Sequence, residues 1–198
     1  MKYLFFILAA AILAACQSGP SPDNSPNGAS AGETESAKAY FPVLDFLKGE
    51  ISMVDSLPVG ILKYVTIGEK TDSQYIKPEA FHELANEFLA PELQRARFEN
   101  EFTETSFYDK SVHSSTFLYT AKSDDLPLRR VDILSESGGA YDKIKSVYME
   151  KLMARGDTAI TRKMYWKPQR HFQINTLSSV GGAAPDVVLI KVAWDNRD

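Results

Sequence analysis

The sequence predicts an α+β domain, with two N-terminal helices packed on an antiparallel β-sheet, a meander of about six to eight strands. Three observations lead to it. Apolar residues recur at helical spacing over 42–56 and again from Pro78. Beyond residue 98 the apolar period falls to two, broken by short turns rich in Gly or Pro. The composition, 44% hydrophobic and 24% charged, is that of a chain able to bury a core.

The elements follow in order. Leu44, Leu47, Ile51 and Val54 fall at steps of three and four, one face of a helix over 42–56. Pro42 suits its first turn and Pro58 stands past its end. Gly49 weakens it by about 1 kcal/mol against alanine. Residues 59–67 are β-branched and aromatic, and 73–77 can pair with them across Gly68-Glu69-Lys70. Pro78 opens the second helix, with Phe81, Leu84, Ala85, Phe88 and Leu89 on one stripe. Pro91 ends or kinks it, with a short helical continuation over 91–97.

From Phe98 onward alternation sets in: Phe102, Glu104, Ser106 and Tyr108 on one side, Thr103, Thr105 and Phe107 on the other. Strands over 112–121 and 128–136 flank the turn Asp124-Asp125-Leu126-Pro127, and Ser137-Gly138-Gly139 closes the second. Residues 141–153 fit a strand, or a helix with Ile144, Val147, Tyr148 and Lys151 on one side. The turns Gly138-Gly139 and Gly156-Asp157 on either side favour the strand. Residues 158–166 and 170–178 read as a hairpin joined by Lys167-Pro168-Gln169. Gly181-Gly182 then leads into a last, largely buried strand from Val187 to Trp194. No internal repeat is visible. Residues 40–198 are thus expected to form one α+β domain behind a leader over 1–15 and a segment over 16–39.

The leader carries its own chemistry. Lys2 precedes an unbroken apolar run from Tyr3 to Ala15. A membrane-spanning helix needs about 20 such residues, so this run fits the core of a secretory signal. It ends Leu13-Ala14-Ala15-Cys16, which resembles the lipobox of bacterial lipoproteins. The resemblance implies cleavage before Cys16, a diacylglycerol on its thiol and acylation of the new amine. The membrane is then a partner through the lipid anchor, in the cell envelope. Gln17 stands where an aspartate would resemble an inner-membrane retention signal, which points to the outer membrane, and the lack of an acidic cluster directly after Cys16 points to a body facing the periplasm. Residues 17–39 hold no large apolar side chain and are expected to form a disordered tether. Such a coil spans about 25–30 Å on average and about 70 Å when stretched.

Several chemistries are disfavoured. A net charge of −4 gives no positive field for nucleic acid. The single cysteine, at the leader boundary, leaves the body without a disulfide or a thiolate metal site. No cofactor is expected. His82-Glu83 starts like the zinc motif H-E-x-x-H, but Asn86 occupies the second histidine position. His113 and His171 sit in separate predicted strands. No G-x-S-x-G elbow or phosphate-cradling glycine loop occurs. Glu99, Glu101, Glu104 and Asp109 read as a solvated acidic strand, and Arg155-Gly156-Asp157 as a turn. No catalytic residue and no metal ligand is assigned.

One mixture stands out. Arg162, Lys163, Tyr165, Trp166, Lys167, Arg170, His171 and Phe172 flank a single predicted hairpin. Tyr165, Trp166, Arg170 and His171 are the candidate ligand-binding residues, since aromatic rings beside cations suit an anionic lipid headgroup, a glycan or a protein. The bland alternative places Trp166 and Phe172 in the core and leaves the cations to solvent. The expected function is an anchored envelope lipoprotein with a non-enzymatic binding or scaffolding domain. The N-terminal layout resembles that of other envelope lipoproteins of similar length. In element order the body is similar to the outer-membrane lipoprotein carrier proteins, which implies the alternative of a carrier or sensor of lipid or another apolar ligand. A hydrolase with an unrecognised site ranks third.

Overall fold

The computed structural model describes residues 40–136 and 143–195. The leader, the lipobox, the tether and the Gly138-Gly139 turn lie outside these residues. Ala39–Asp198 is one compact unit by itself.

Helix α1 spans Val43–Ser56, with Pro42 just before its first turn as the sequence indicates. Val43, Leu47, Ile51 and Val54 are its buried apolar residues, so Val43 takes the place expected of Leu44, which is only partly buried. β1 (Ile61–Ile67) and β2 (Lys70–Ile76) form a hairpin, and Gly68 at its turn has φ +58, a conformation that favours glycine. Helix α2 (Pro78–Ala85) carries Pro78 in its first turn and buries Phe81 and Ala85. Two 3-10 turns, Asn86–Phe88 and Pro91–Leu93, bury Phe88 and Leu93. Helix α3 is Arg95–Glu101.

Seven strands follow: β3 (Phe102–Asp109), β4 (Ser114–Ala121), β5 (Leu128–Glu136), β6 (Ile144–Arg155), β7 (Thr158–Lys167), β8 (His171–Val180) and β9 (Asp186–Ala193). The α+β class holds, with counts that differ from expectation. Among the described residues the sheet has nine strands, not six to eight, and there are three α-helices, not two. Residues 98–101 are helical rather than extended: burial of Phe98 and Phe102 sets where the helix gives way to the strand, and the ion pairs Arg95–Glu99 and Arg97–Glu101 at helical spacing add to it. The segment around 144–153 is a strand, paired with both neighbours.

All pairings are antiparallel, in the order β2-β1-β9-β8-β7-β6-β5-β4-β3. Strands β3 to β9 form the meander. The first hairpin joins it at the far side, where β1 pairs with β9 from Leu62↔Ala193 to Ile67↔Val188. The last strand is buried only at its end: Val192 and Ala193 are covered, and the residues before them are partly or fully exposed.

Strands and helices contribute to one core. Val131, Ile133, Val147, Met149, Met164, Trp166, Phe172, Ile174 and Val192 join α1 and α2 residues in one core cluster. Its centre is aromatic. Trp166 stacks on Phe172 with centroids 5.2 Å apart, and Phe88 meets both rings edge-on. Trp194 and Phe81 close the cluster from the side. A second group, Tyr40, Phe98, Phe102 and Tyr119, fills the space near β3 and β4. The first 3-10 turn is tied down by charge: Arg162 meets the Glu87 carboxylate at 2.6 Å, and the Lys151 ammonium donates to the Glu87 carbonyl.

Candidate functional site

Alternation along β7 and β8 decides which candidate residues can reach a ligand. Trp166 pairs directly with Phe172 across the hairpin, so both rings point to one face. That face is the core, and Trp166 is 0% exposed. Trp166 is therefore a correction: it is a core residue and not a binding surface. Its indole N–H donates to Glu50 Oε2 at 3.3 Å, and the same oxygen accepts the Gln169 amide at 2.8 Å. Glu50, 9% exposed, thus ties α1 to the β7–β8 turn, where Gln169 adopts φ +60. Sequence reasoning missed this carboxylate. Its only signal was a position next to the buried stripe of α1.

Tyr165 and His171 lie on the opposite face, their rings 6.1 Å apart. Lys167 pairs across with His171, and Lys163, two residues before Tyr165 on β7, shares their face. In the next strands Gln173 opposes Lys191, which opposes Tyr64. Arg170 sits in the turn, where its carbonyl accepts the amides of Trp194 and Asp195. Burial, then the charges of Lys191, Lys167 and Arg170, lower the His171 pKa below its ordinary value. Three of the four candidate residues, Tyr165, Arg170 and His171, are thus brought together, and Lys163, Lys167, Lys191 and Tyr64 extend the set.

The charge on this face changes along it: Glu150 stands directly across from Lys163 in register, and Lys167, Lys191 and Arg170 lie beyond it. Toward β5 and β6 the cations are paired: Arg130 holds Asp132 at 2.7 Å. Tyr148 donates to Glu150 at 3.2 Å, and burial with that nearby carboxylate pushes its hydroxyl up to about 12. Among the described residues, Lys163, Lys167, Arg170 and Lys191 have no carboxylate within ion-pair distance.

The other candidates resolve individually. His82 Nε2 lies 2.8 Å from Asp55 Oδ1 and links α2 to α1. His113 Nδ1 lies 3.1 Å from the Tyr108 hydroxyl. His113 adjoins β4 and His171 starts β8, four strand spacings apart, about 19 Å at the usual interval. The two imidazoles do not share a site. Glu99 and Glu101 are helix ion pairs of α3, a correction to the acidic strand expected there. Asp109 accepts the Ser111 amide and hydroxyl, which hold its carboxyl below the usual range. Arg155-Gly156-Asp157 forms an exposed turn with Gly156 at φ +63.

One nucleophile lies near a base: Ser114 Oγ and Lys145 Nζ are 3.0 Å apart. The Ser114 hydroxyl, however, donates to the Val112 carbonyl at 3.2 Å and accepts from the lysine. A lysine acting as base would have to accept that proton, so this contact is a structural tie. The clefts are open and mixed in lining. One of about 390 Å3 lies between Phe46, Glu50, Lys145 and Pro168, and one of about 300 Å3 between Met53, Leu57, Val59 and Trp194.

No family model, no curated protein and no solved structure matches this chain. Among the described residues no helix is long and apolar enough to cross a membrane.

Proposed function

We propose that this chain is a membrane-anchored lipoprotein of the cell envelope, carried on an acylated Cys16, whose α+β body binds or scaffolds without catalysis. The outer membrane, facing the periplasm, is its proposed place. In this reading the helices cover one side of the meander, the covered side makes the core, and the bare side of the sheet is left for partners. The observation that carries the binding role is the pairing of Trp166 with Phe172 in a filled aromatic interior, which leaves Tyr165, His171 and their cations outside. A carrier of apolar ligands needs interior room. Here Phe81, Phe88, Trp166, Phe172 and Trp194 occupy the space between helices and sheet, which counts against that alternative. The anchoring rests on Leu13-Ala14-Ala15-Cys16.

The test is fractionation in a bacterial host with lipoprotein processing. Cys16→Ala should move the chain out of the membrane fraction or leave it as an uncleaved precursor. Intact mass of the wild type should show loss of residues 1–15 and a gain of acyl groups. A mature wild-type chain without acyl mass refutes the anchor. Purification of the native body with a stoichiometric apolar ligand inside it refutes the binding-surface role in favour of a carrier.

A further inference from the structure

We infer that the bare face of β7, β8, β9 and β1 is a docking surface for an anionic phospholipid bilayer. The inference rests on the anchored reading above and names the partner of its exposed face. Lys167 on β7 and Lys191 on β9 share one face by register, Arg170 adjoins it in the β7–β8 turn beside His171, and Lys163 lies at its border, across from Glu150. Among the described residues none of them has a carboxylate within ion-pair distance. A chain of net charge −4 that gathers Lys167, Lys191 and Arg170 in one place, with no carboxylate directly across from them, has a local field opposite to its average. The row Tyr64, Lys191, Gln173, Tyr165 crosses neighbouring strands in direct register. Phenol rings between cations suit the headgroup level, where one end is apolar and the other wet. The pairing of strands makes this a broad sheet face rather than a pocket, which fits a surface and not a small anion.

The occupant follows from charge and from reach. Phosphate headgroups are complementary to the cations, and lysine and arginine gain free energy near an anionic leaflet. A body tethered by residues 17–39 stays within about 70 Å of the bilayer that holds its acyl chains. That confinement raises the effective concentration of this one polyanion above any diffusing one. Docking would turn the bare sheet face to the membrane and the helical side away from it.

The test uses the chain from residue 17 onward, which lacks the acylation site and keeps the whole compact unit. It is sedimented with vesicles of phosphatidylcholine alone, and with vesicles containing one-third phosphatidylglycerol. Binding is expected to the second only, and to vanish at about 0.5 M salt, where screening reaches a few Å. The pair Lys167→Glu and Lys191→Glu should weaken it at least about ten-fold. Lys70→Glu with Lys110→Glu, an equal charge change at exposed positions elsewhere, should leave it within about two-fold. Near-ultraviolet circular dichroism confirms that both pairs of variants keep the fold. Equal binding to both vesicle types, equal loss in the two variant pairs, or tighter binding to soluble polygalacturonate than to the anionic vesicles each overturns the proposal. The last outcome assigns the face to an acidic glycan. None of these results bears on Cys16, so a failed surface leaves the anchor standing.

Discussion

At the residue scale, the two neighbours Tyr165 and Trp166 show how parity separates stability from binding. Trp166→Ala removes a side chain that is 0% exposed and stacked on Phe172. It should cost about 3–5 kcal/mol in denaturant unfolding. Tyr165→Ala, one step along the strand on the bare face, should cost about 1 kcal/mol or less. Glu50→Ala leaves the Trp166 indole and the Gln169 amide without their acceptor and should cost about 1–3 kcal/mol. Glu50→Gln keeps an oxygen and should cost less. The titration of His171 has a definite sign. Burial and the cations Lys191, Lys167 and Arg170 disfavour its protonated form in the fold, so the unfolded chain binds that proton more readily. The stability contributed by neutral His171 is whole above about 6.5 and is lost as pH falls below that value. His171→Gln should therefore flatten the decline of the urea midpoint between pH 7 and pH 5, measured beside the wild type. The shared face of Trp166 and Phe172 was legible in the hairpin sequence, since a three-residue connection, Lys167-Pro168-Gln169, sets even-numbered residues of both strands on one side; the register was not, because the bend falls one residue later and Lys167 pairs with His171. Which face was buried was not legible. Both faces of this hairpin carry aromatics, and only the contacts of Trp166 and Phe172 with Glu50, Phe81 and Phe88 decide.

At the element scale, turn chemistry was the most informative signal. Gly68, Gly156 and Gly181 all adopt positive φ at the hairpin bends where glycine was read as a turn. The strand over 144–155 was recoverable only from its flanking turns, because its own side chains satisfy helical and strand periods alike. The second half of helix α3 was the misreading, since the helical continuation was expected to stop at residue 97. Its aromatic residue Phe98 and the alternation that follows it suggested a strand, whereas Arg95, Arg97, Glu99 and Glu101 are set at the spacing of helical ion pairs. Those pairs are surface contacts worth a few tenths of a kcal/mol each, so burial of Phe98 and Phe102 decides the boundary more than charge does. Helix α1 holds by its apolar stripe: no side chain caps its N-terminus, and Leu47 is fully buried. Leu47→Ala should accordingly cost about 2–5 kcal/mol in thermal or denaturant unfolding. Leu44→Ala, at the position favoured by sequence periodicity and found only partly buried, should cost clearly less.

At the scale of the whole molecule, the strand order is what no local pattern could give. Alternation and turns predict each hairpin, but the pairing of β1 with β9 joins opposite ends of the body. It is set by how the helical segment from Pro78 to Glu101 carries the chain to the other edge of the sheet. This arrangement makes β9 the joint of the fold. It pairs with β8 on one side and β1 on the other, and Trp194 just after it packs against Phe81 and Trp166. Deleting residues from 186 onward would leave the β1–β2 hairpin without its neighbour, and an isolated two-stranded hairpin is marginally stable in water. It would also open the aromatic cluster from the side that Trp194 closes. The deletion should therefore do more than subtract one strand. A sheet built mainly from hairpins would persist in part, so far-ultraviolet dichroism should retain strand signal. The cooperative unfolding transition should disappear, and the exposed aromatic interior should bind anilinonaphthalene sulfonate. Cooperative unfolding of the truncated chain with an unchanged slope would show instead that the meander from β3 to β8 is a self-sufficient folding unit.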